Sequence, residues 1–327
     1  IAKLLQVDAK EIIFTSGGAE SNNLILRGAL KVNESKGKHL ITSKIEHSTV
    51  LKTCQALEKE GYEVTYIDVT ERGVIDPEQL KNAIRNDTVA ISVMYVNNET
   101  GVVQPIDEIA KMIEGKGIVL HTDAIQGVGK EMILPKKQGI HALSAAAHKF
   151  YGPKGTGFLY LDQNYMIEKE ITGGSQERNR RSGTENVHGI VGMAKALEIV
   201  YSDMEEEQAK EKEMQIYLEE ALKEEICNIK INCGNSRRIS SVVNITLEDC
   251  NVQTLMVALD MEGICVSGGS ACMSGAMETS HVLKAMGASE EDLKSSIRVS
   301  IGRYNTKDEI DIFIQKLKEI VARERAK

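Results

Sequence analysis

The sequence predicts an α/β protein: a large domain on a mostly parallel, seven-stranded sheet, followed by a smaller α+β domain. Between residues 11 and 162, seven β-rich runs (EIIF, KHLIT, YEVTYIDV, TVAISVMYV, GIVLHTDA, HALSA and GFLYLD) alternate with mostly amphipathic helical stretches. That alternation is the pattern of βαβ units and a parallel sheet. After Gly189 the pattern changes to a long run rich in Glu, Lys and Met, reaching about Glu225, which reads as one extended helix or a helix pair.

The elements follow in order. IAKLLQV reads as the end of an amphipathic helix, so the expectation is that the natural chain begins further upstream. TSGGAESNN is a glycine-bearing turn that opens a helix after EIIF. Asp76-Pro77 before EQLKNAI marks a helix start, an N-cap followed by a proline whose missing N–H is not needed there. Beyond the helical run come strand-like NIKINC and SSVVNITL, helical NVQTLMVALDMEG, the run ICVSGGSACMSG, a helix near His281, strand SIRVSIG and a final helix. The domain boundary is placed between residues 205 and 206, giving domains of 1–205 and 206–327. No internal repeat and no linker is visible.

Composition narrows the function classes. Hydrophobic residues make up 42% and charged residues 27% of 327, with no long apolar run, which fits a cytoplasmic protein without a membrane span. A net charge of −8 lacks the basic footprint of a general nucleic-acid binder, so small molecules or proteins are the expected partners. The six cysteines include no C-x-x-C pair, which argues against a zinc cage and against a disulfide framework.

Four segments carry residue types suited to chemistry. In TSGGAESNN the small residues leave backbone N–H groups at a helix start, where a phosphate can sit; the plainer alternative is an ordinary glycine turn. In HTDAIQ, Asp123 and Gln126 follow an apolar strand, at the C-terminal end where α/β sheets place ligands. A carboxylate there suits a cation such as a pyridinium nitrogen, and Gln126 suits the ring's phenolic oxygen; a helix cap is the competing role for Asp123. In SAAAHKFYGPKGTG, Lys149 stands beside small residues, and desolvation near a phosphate and a pyridine ring would make its amine a good nucleophile and base; Lys154, inside the Gly-Pro-Lys-Gly turn, is the competing lysine. In GGSACMSG, Cys272 lies in a Gly- and Ser-rich segment that suits a mobile thiol nucleophile, whereas the other five cysteines read as structural. Arg298 in SIRVSIGR can grip a substrate carboxylate, a surface ion pair being the alternative.

Taken in order, TSGGAESNN, EHSTV, VNNETG, HTDAIQ, AHKFYGPKG, RSGTEN, GGSACMSG and SSIRVSIGR resemble the cysteine desulfurases, fold-type I pyridoxal-phosphate (PLP) enzymes of the class V aminotransferase superfamily. The resemblance covers essentially the whole chain. It implies His47 stacked on the pyridine ring, Asn98 on cofactor or substrate, Lys149 as the Schiff-base lysine, and phosphate held by Gly18, Ala19 and His148. It further implies Thr184 reaching in from the second subunit of a homodimer, Arg298 on the carboxylate of L-cysteine, and Cys272 taking the sulfur as a persulfide for an acceptor protein in iron-sulfur assembly or tRNA thiolation. The chain departs from the family at Ala19, usually Thr, and at Ala146, usually Ser; both hydroxyls normally help bind phosphate, so weakened cofactor binding is expected. A front segment of the type LDNAATT is also not in the sequence. A selenocysteine lyase is the nearest enzymatic alternative, and a scaffold with a decayed cofactor pocket the non-enzymatic one.

Overall fold

The computed structural model describes residues 1–269 and 279–326, and it divides into two compact units. The first comprises Ile1–Asp68, Ile75–Asn97 and Gln104–Met204. Its elements in chain order are α1 (Ala2–Leu5), β1 (Ile12–Thr15), α2 (Gly18–Val32), β2 (His39–Ser43), α3 (Ser48–Lys59), β3 (Glu63–Ile67), α4 (Pro77–Ala83), β4 (Thr88–Ser92), α5 (Ile106–Ile113), β5 (Val119–Asp123), β6 (Ala142–Ala146), β7 (Gly157–Leu161), α6 (Gln176–Asn179) and α7 (Val187–Ser202). All seven β-rich runs of the sequence are strands of one sheet, in the order β1-β7-β6-β5-β4-β2-β3. The pairs β2–β3, β2–β4, β4–β5 and β5–β6 are parallel, and β7 runs antiparallel to both β1 and β6.

Strands β2, β4, β5, β6 and β7 are buried along their whole length. Continuous burial is what a sheet covered on both faces requires, and it explains why these runs lack a regular apolar-polar alternation, their few polar side chains such as His121 and Ser144 being buried too. Leu24, Ile25, Ala29 and Leu30 of α2 pack with Val50, Cys54 and Leu57 of α3 over Leu40, Ala90 and Val119 of the sheet. Asp76 caps α4 through the N–H groups of Glu78 and Gln79, with Pro77 in the first turn, as the sequence predicts.

The second unit comprises Val69–Val74, Asn98–Val103 and Glu205–Lys327. The helical run resolves into a helix pair, because α7 ends at Ser202 and α8 runs over Met204–Glu225. Then follow β8 (Ile229–Asn232), β9 (Val242–Leu247), α9 (Val252–Met261), α10 (His281–Ala285), α11 (Glu290–Lys294), β10 (Ser296–Ser300) and α12 (Lys307–Arg325). The three strands form an antiparallel sheet in the order β10-β9-β8. Leu255 and Leu259 of α9 and Phe313, Leu317 and Ile320 of α12 close one core against Val243, Ile245 and Ile297.

The boundary expected between residues 205 and 206 leaves two short segments, 69–74 and 98–103, on the wrong side. Backbone bonds from Val103 to Arg237 (2.9 Å) and from Ile239 to Gly101 (2.9 Å), with the Ser236 hydroxyl on the Arg72 carbonyl (2.8 Å), tie both to the second unit. Such pairings join residues far apart in sequence and leave no periodic signal. Among the described residues no helix is long and apolar enough to cross a membrane.

Candidate active site

The TSGG turn joins β1 to α2. Gly17 takes φ 151° and ψ −173°, a region reserved for glycine, and caps α2 without any side chain. The Thr15 hydroxyl accepts from Gly17 N–H (3.3 Å), while Glu20 of the first turn reaches back to Ser16 N–H (2.8 Å). The N–H groups of Gly18 and Ala19 therefore open a 15-residue helix, the arrangement that favours an anion. Gly18 admits no larger residue without movement, since a Cβ would stand 2.0 Å from Ile125 Cδ1.

Asp123 ends β5 and is only 3% exposed. Its Oδ1 accepts from Ile125 N–H (3.1 Å) and its Oδ2 from the Asn22 amide (2.7 Å). Burial pushes the carboxyl above its usual range, while the Asn22 bond, the nearby His47 and the Ile125 N–H oppose that shift. The cap role does not displace the site role: Asp123 starts no helix and forms one short turn bond.

Asn22, fully buried on α2, also donates to the Thr49 hydroxyl (3.0 Å), which lies 2.8 Å from His47 Nδ1. His47 is half-buried and caps α3, its Nδ1 accepting Thr49 N–H (3.2 Å). Glu46 beside it is fully buried, accepting from the Ser43 hydroxyl (2.5 Å) and Met94 N–H (2.9 Å). Burial chiefly, with the Asp123 charge adding, raises its carboxyl to about 8. Asn22, Thr49 and Glu46 are site neighbours that sequence reasoning missed. Asn22 had a signal, because it stands one helical turn after Gly18 and so shares its face.

His148 and Lys149 follow β6 in a 3₁₀ turn, Ala147–Lys149, closed by Phe150 and Gly152 N–H groups on the Ala147 carbonyl (3.1 and 2.8 Å). Lys149 and Lys154 are exposed, and His148 between β6 and Lys149 lies largely at the surface. Partial burial, with Lys149 and Lys154 beside it, lowers the His148 pKa below the usual histidine value. Gln126 is half-buried, Ala146 buried, Ala19 and Thr184 exposed. Thr184 sits in a loop anchored to α2 by the Arg181 guanidinium on both Glu20 oxygens (2.7 and 3.2 Å).

In the second unit, Arg298 of β10 donates through Nη1 to the Asn98 carbonyl (2.8 Å), bringing two expected substrate residues together. Its backbone pairs with that of Ser267. Cys272 lies outside the described residues.

These residues fit a PLP group. A buried carboxylate with no lysine or arginine ion pair among the described residues suits the pyridinium nitrogen, and the uncapped start of α2 suits the phosphate. Asn22 Oδ1 is buried without a hydrogen-bond partner, a further unfilled polar demand on that side of Asp123.

Residues 1–313 match the family Aminotransferase class-V. The cysteine desulfurase IscS of Dictyoglomus turgidum is 42% identical over 325 residues, covering 99% of this chain and 82% of that protein. The IscS of Methanosarcina thermophila is 44% identical over 324 residues, covering 99% and 80%. A solved NifS-like protein superposes with a TM-score of 0.92 at 35% identity, over 98% of this chain and 85% of the other. A structure described as SspA in complex with cysteine gives 0.81 at 37%, over 94% and 85%. This chain therefore belongs to the aminotransferase class-V family, in its cysteine desulfurase branch, and is a PLP-dependent enzyme of fold type I.

Proposed function

We propose that the chain removes sulfur from L-cysteine, giving L-alanine and a persulfide on Cys272 that passes to an acceptor protein. The observation that carries this reading is the buried Asp123 carboxylate at the C-terminal end of β5, in a chain 42 to 44% identical to IscS cysteine desulfurases. The relative solved in complex with cysteine supports the choice of substrate.

When bound, PLP supplies the electron sink for carbanion chemistry at the amino acid. Asp123 would keep the ring nitrogen protonated, Gln126 would hydrogen-bond the phenolic oxygen, and His47 would stand against the ring. Gly18 and Ala19 N–H groups with His148 would hold the phosphate beside Ala146, and Thr184 would add to it from the second subunit of a homodimer. Lys149 would be the residue that holds the cofactor, and its Nζ would take the α-proton of the substrate. Asn98 and Arg298 fix the substrate, the guanidinium on its carboxylate. The Cys272 thiolate then forms an S–S bond to the substrate sulfur as the C–S bond breaks, so cysteine plus thiol becomes alanine plus persulfide in balance. The setting is the cytoplasm, with an iron-sulfur scaffold or a tRNA-thiolation enzyme as sulfur acceptor.

The test is an absorbance spectrum of purified protein with and without cysteine, beside Lys149→Ala and Cys272→Ala. The expected result is a visible cofactor band lost in the lysine variant, and alanine with sulfide under reductant from the wild type only. A protein that stays colourless and inert when supplied with PLP would reject the reading.

A further inference from the structure

Four side chains of the first unit form one line of hydrogen bonds: Asp123, Asn22, Thr49 and His47. The direction of each bond follows from the chemistry of the groups. With Asp123 ionised, only the nitrogen of the Asn22 amide can face it, because the opposite orientation would set two acceptor oxygens 2.7 Å apart. That same nitrogen has a second hydrogen, which goes to Thr49 Oγ1. Thr49 Oγ1 is thereby an acceptor, and its own proton is left to donate. His47 Nδ1 stands 2.8 Å from that hydroxyl and already accepts Thr49 N–H. Two donors converge on one ring nitrogen, so Nδ1 carries a lone pair and the proton sits on Nε2.

We propose that Asn22 and Thr49 are positioning residues that hold Asp123 as an acceptor and lock His47 as its Nε2–H tautomer. The inference rests on the proposed PLP site only for its consequence. A His47 locked this way presents a hydrogen on Nε2, where it can accept no proton, while the Nδ1 lone pair is taken up by Thr49, which leaves proton acceptance from substrate to Lys149. Burial of the whole Asn22 side chain, with its Oδ1 left without a partner, argues that this orientation is kept for what the nitrogen holds.

The experiment is ¹⁵N-histidine NMR of the holoenzyme and of cofactor-free protein, with His47 assigned from a His47→Gln variant. The expected wild-type spectrum shows Nε2–H alone. Thr49→Val should admit the second tautomer, Thr49→Ser should restore the first, and Asn22→Ala should weaken PLP affinity roughly tenfold or more through the lost bond to a charged group. An Nδ1–H signal in wild type would overturn the proposal, as would variants indistinguishable from wild type in both tautomer and affinity. A wild type that binds no PLP would reject the cofactor reading instead, while the cofactor-free spectrum still decides the tautomer lock.

Discussion

Two alanines govern how firmly the proposed phosphate site closes. Ala19 is exposed on the first turn of α2, and Ala146 is buried with its Cβ 3.9 Å from where a Gly18 Cβ would stand. Neither offers the hydroxyl that the family usually places there. Ala19→Thr and Ala146→Ser are each expected to tighten PLP binding, since a bond to a charged group contributes about 1.5 to 3 kcal/mol, or roughly ten- to a hundredfold. Titration of cofactor-free protein with PLP measures this; unchanged affinity in both variants would show that backbone N–H groups already saturate the phosphate. Asp123 was legible from its place after an apolar strand; Asn22 carried only the weaker signal of standing one turn after Gly18, because Asn23 beside it has the same chemistry and only the rotation of α2 separates the buried asparagine from its more exposed neighbour. His47 was expected at the cofactor only through the resemblance, and in the structure it caps α3 while standing in the Asp123 network.

Among whole elements, the contact between β7 and the TSGG turn holds the start of α2 in place. Gly157 opens β7 opposite Thr15, and a Cβ on it would stand 2.5 Å from the Ala145 carbonyl oxygen and 2.7 Å from Gly17 Cα. Both neighbours are backbone, so neither can swing aside. Gly157→Ala is therefore expected to cost about 1 to 3 kcal/mol of stability and to weaken PLP affinity by moving the turn. Gly155→Ala is the control for backbone strain without contact, since Gly155 has φ 76° and nothing within reach of a Cβ. Chemical denaturation with PLP titration separates them: loss of stability in both with loss of affinity only at Gly157 is the expected pattern, and unaltered affinity at Gly157 would refute the coupling. The strands themselves were readable because burial on both faces of β2, β4, β5, β6 and β7 favours short, largely apolar and uncharged runs, Asp123 at the end of β5 being the exception. The split of the helical run at Asp203 was not, because the pattern is equally helical on both sides of it.

Two buried groups of the first unit, His121 on β5 and Glu46 in the loop between β2 and α3, shape the pH dependence of the whole molecule. His121, wholly buried between the Ser92 and Ser144 hydroxyls, has its pKa driven by burial from 6.5 to about 3. Unfolded chains bind a proton there that the folded protein refuses, so this stability is full above pH 6.5 and is lost as pH falls toward 3. Glu46 acts with the opposite sign: its carboxyl rises from 4.5 to about 8, so the folded protein keeps a proton that the unfolded chain releases. That contribution is full below 4.5 and is lost as pH rises to about 8. Between 4.5 and 6.5 the two slopes cancel, so these groups alone place a stability plateau there, with decline on either side. Glu46→Gln keeps a neutral side chain that can still accept from Ser43 and Met94, and it removes the alkaline slope. The expected outcome, read as the difference in denaturation free energy between variant and wild type at pH 5 and pH 9, is a gain at the higher pH on the order of a few kcal/mol. Subtracting the two proteins cancels the shared carboxylates and leaves Glu46 alone, so a difference that stays flat with pH would mean that this carboxyl is ionised in the folded protein.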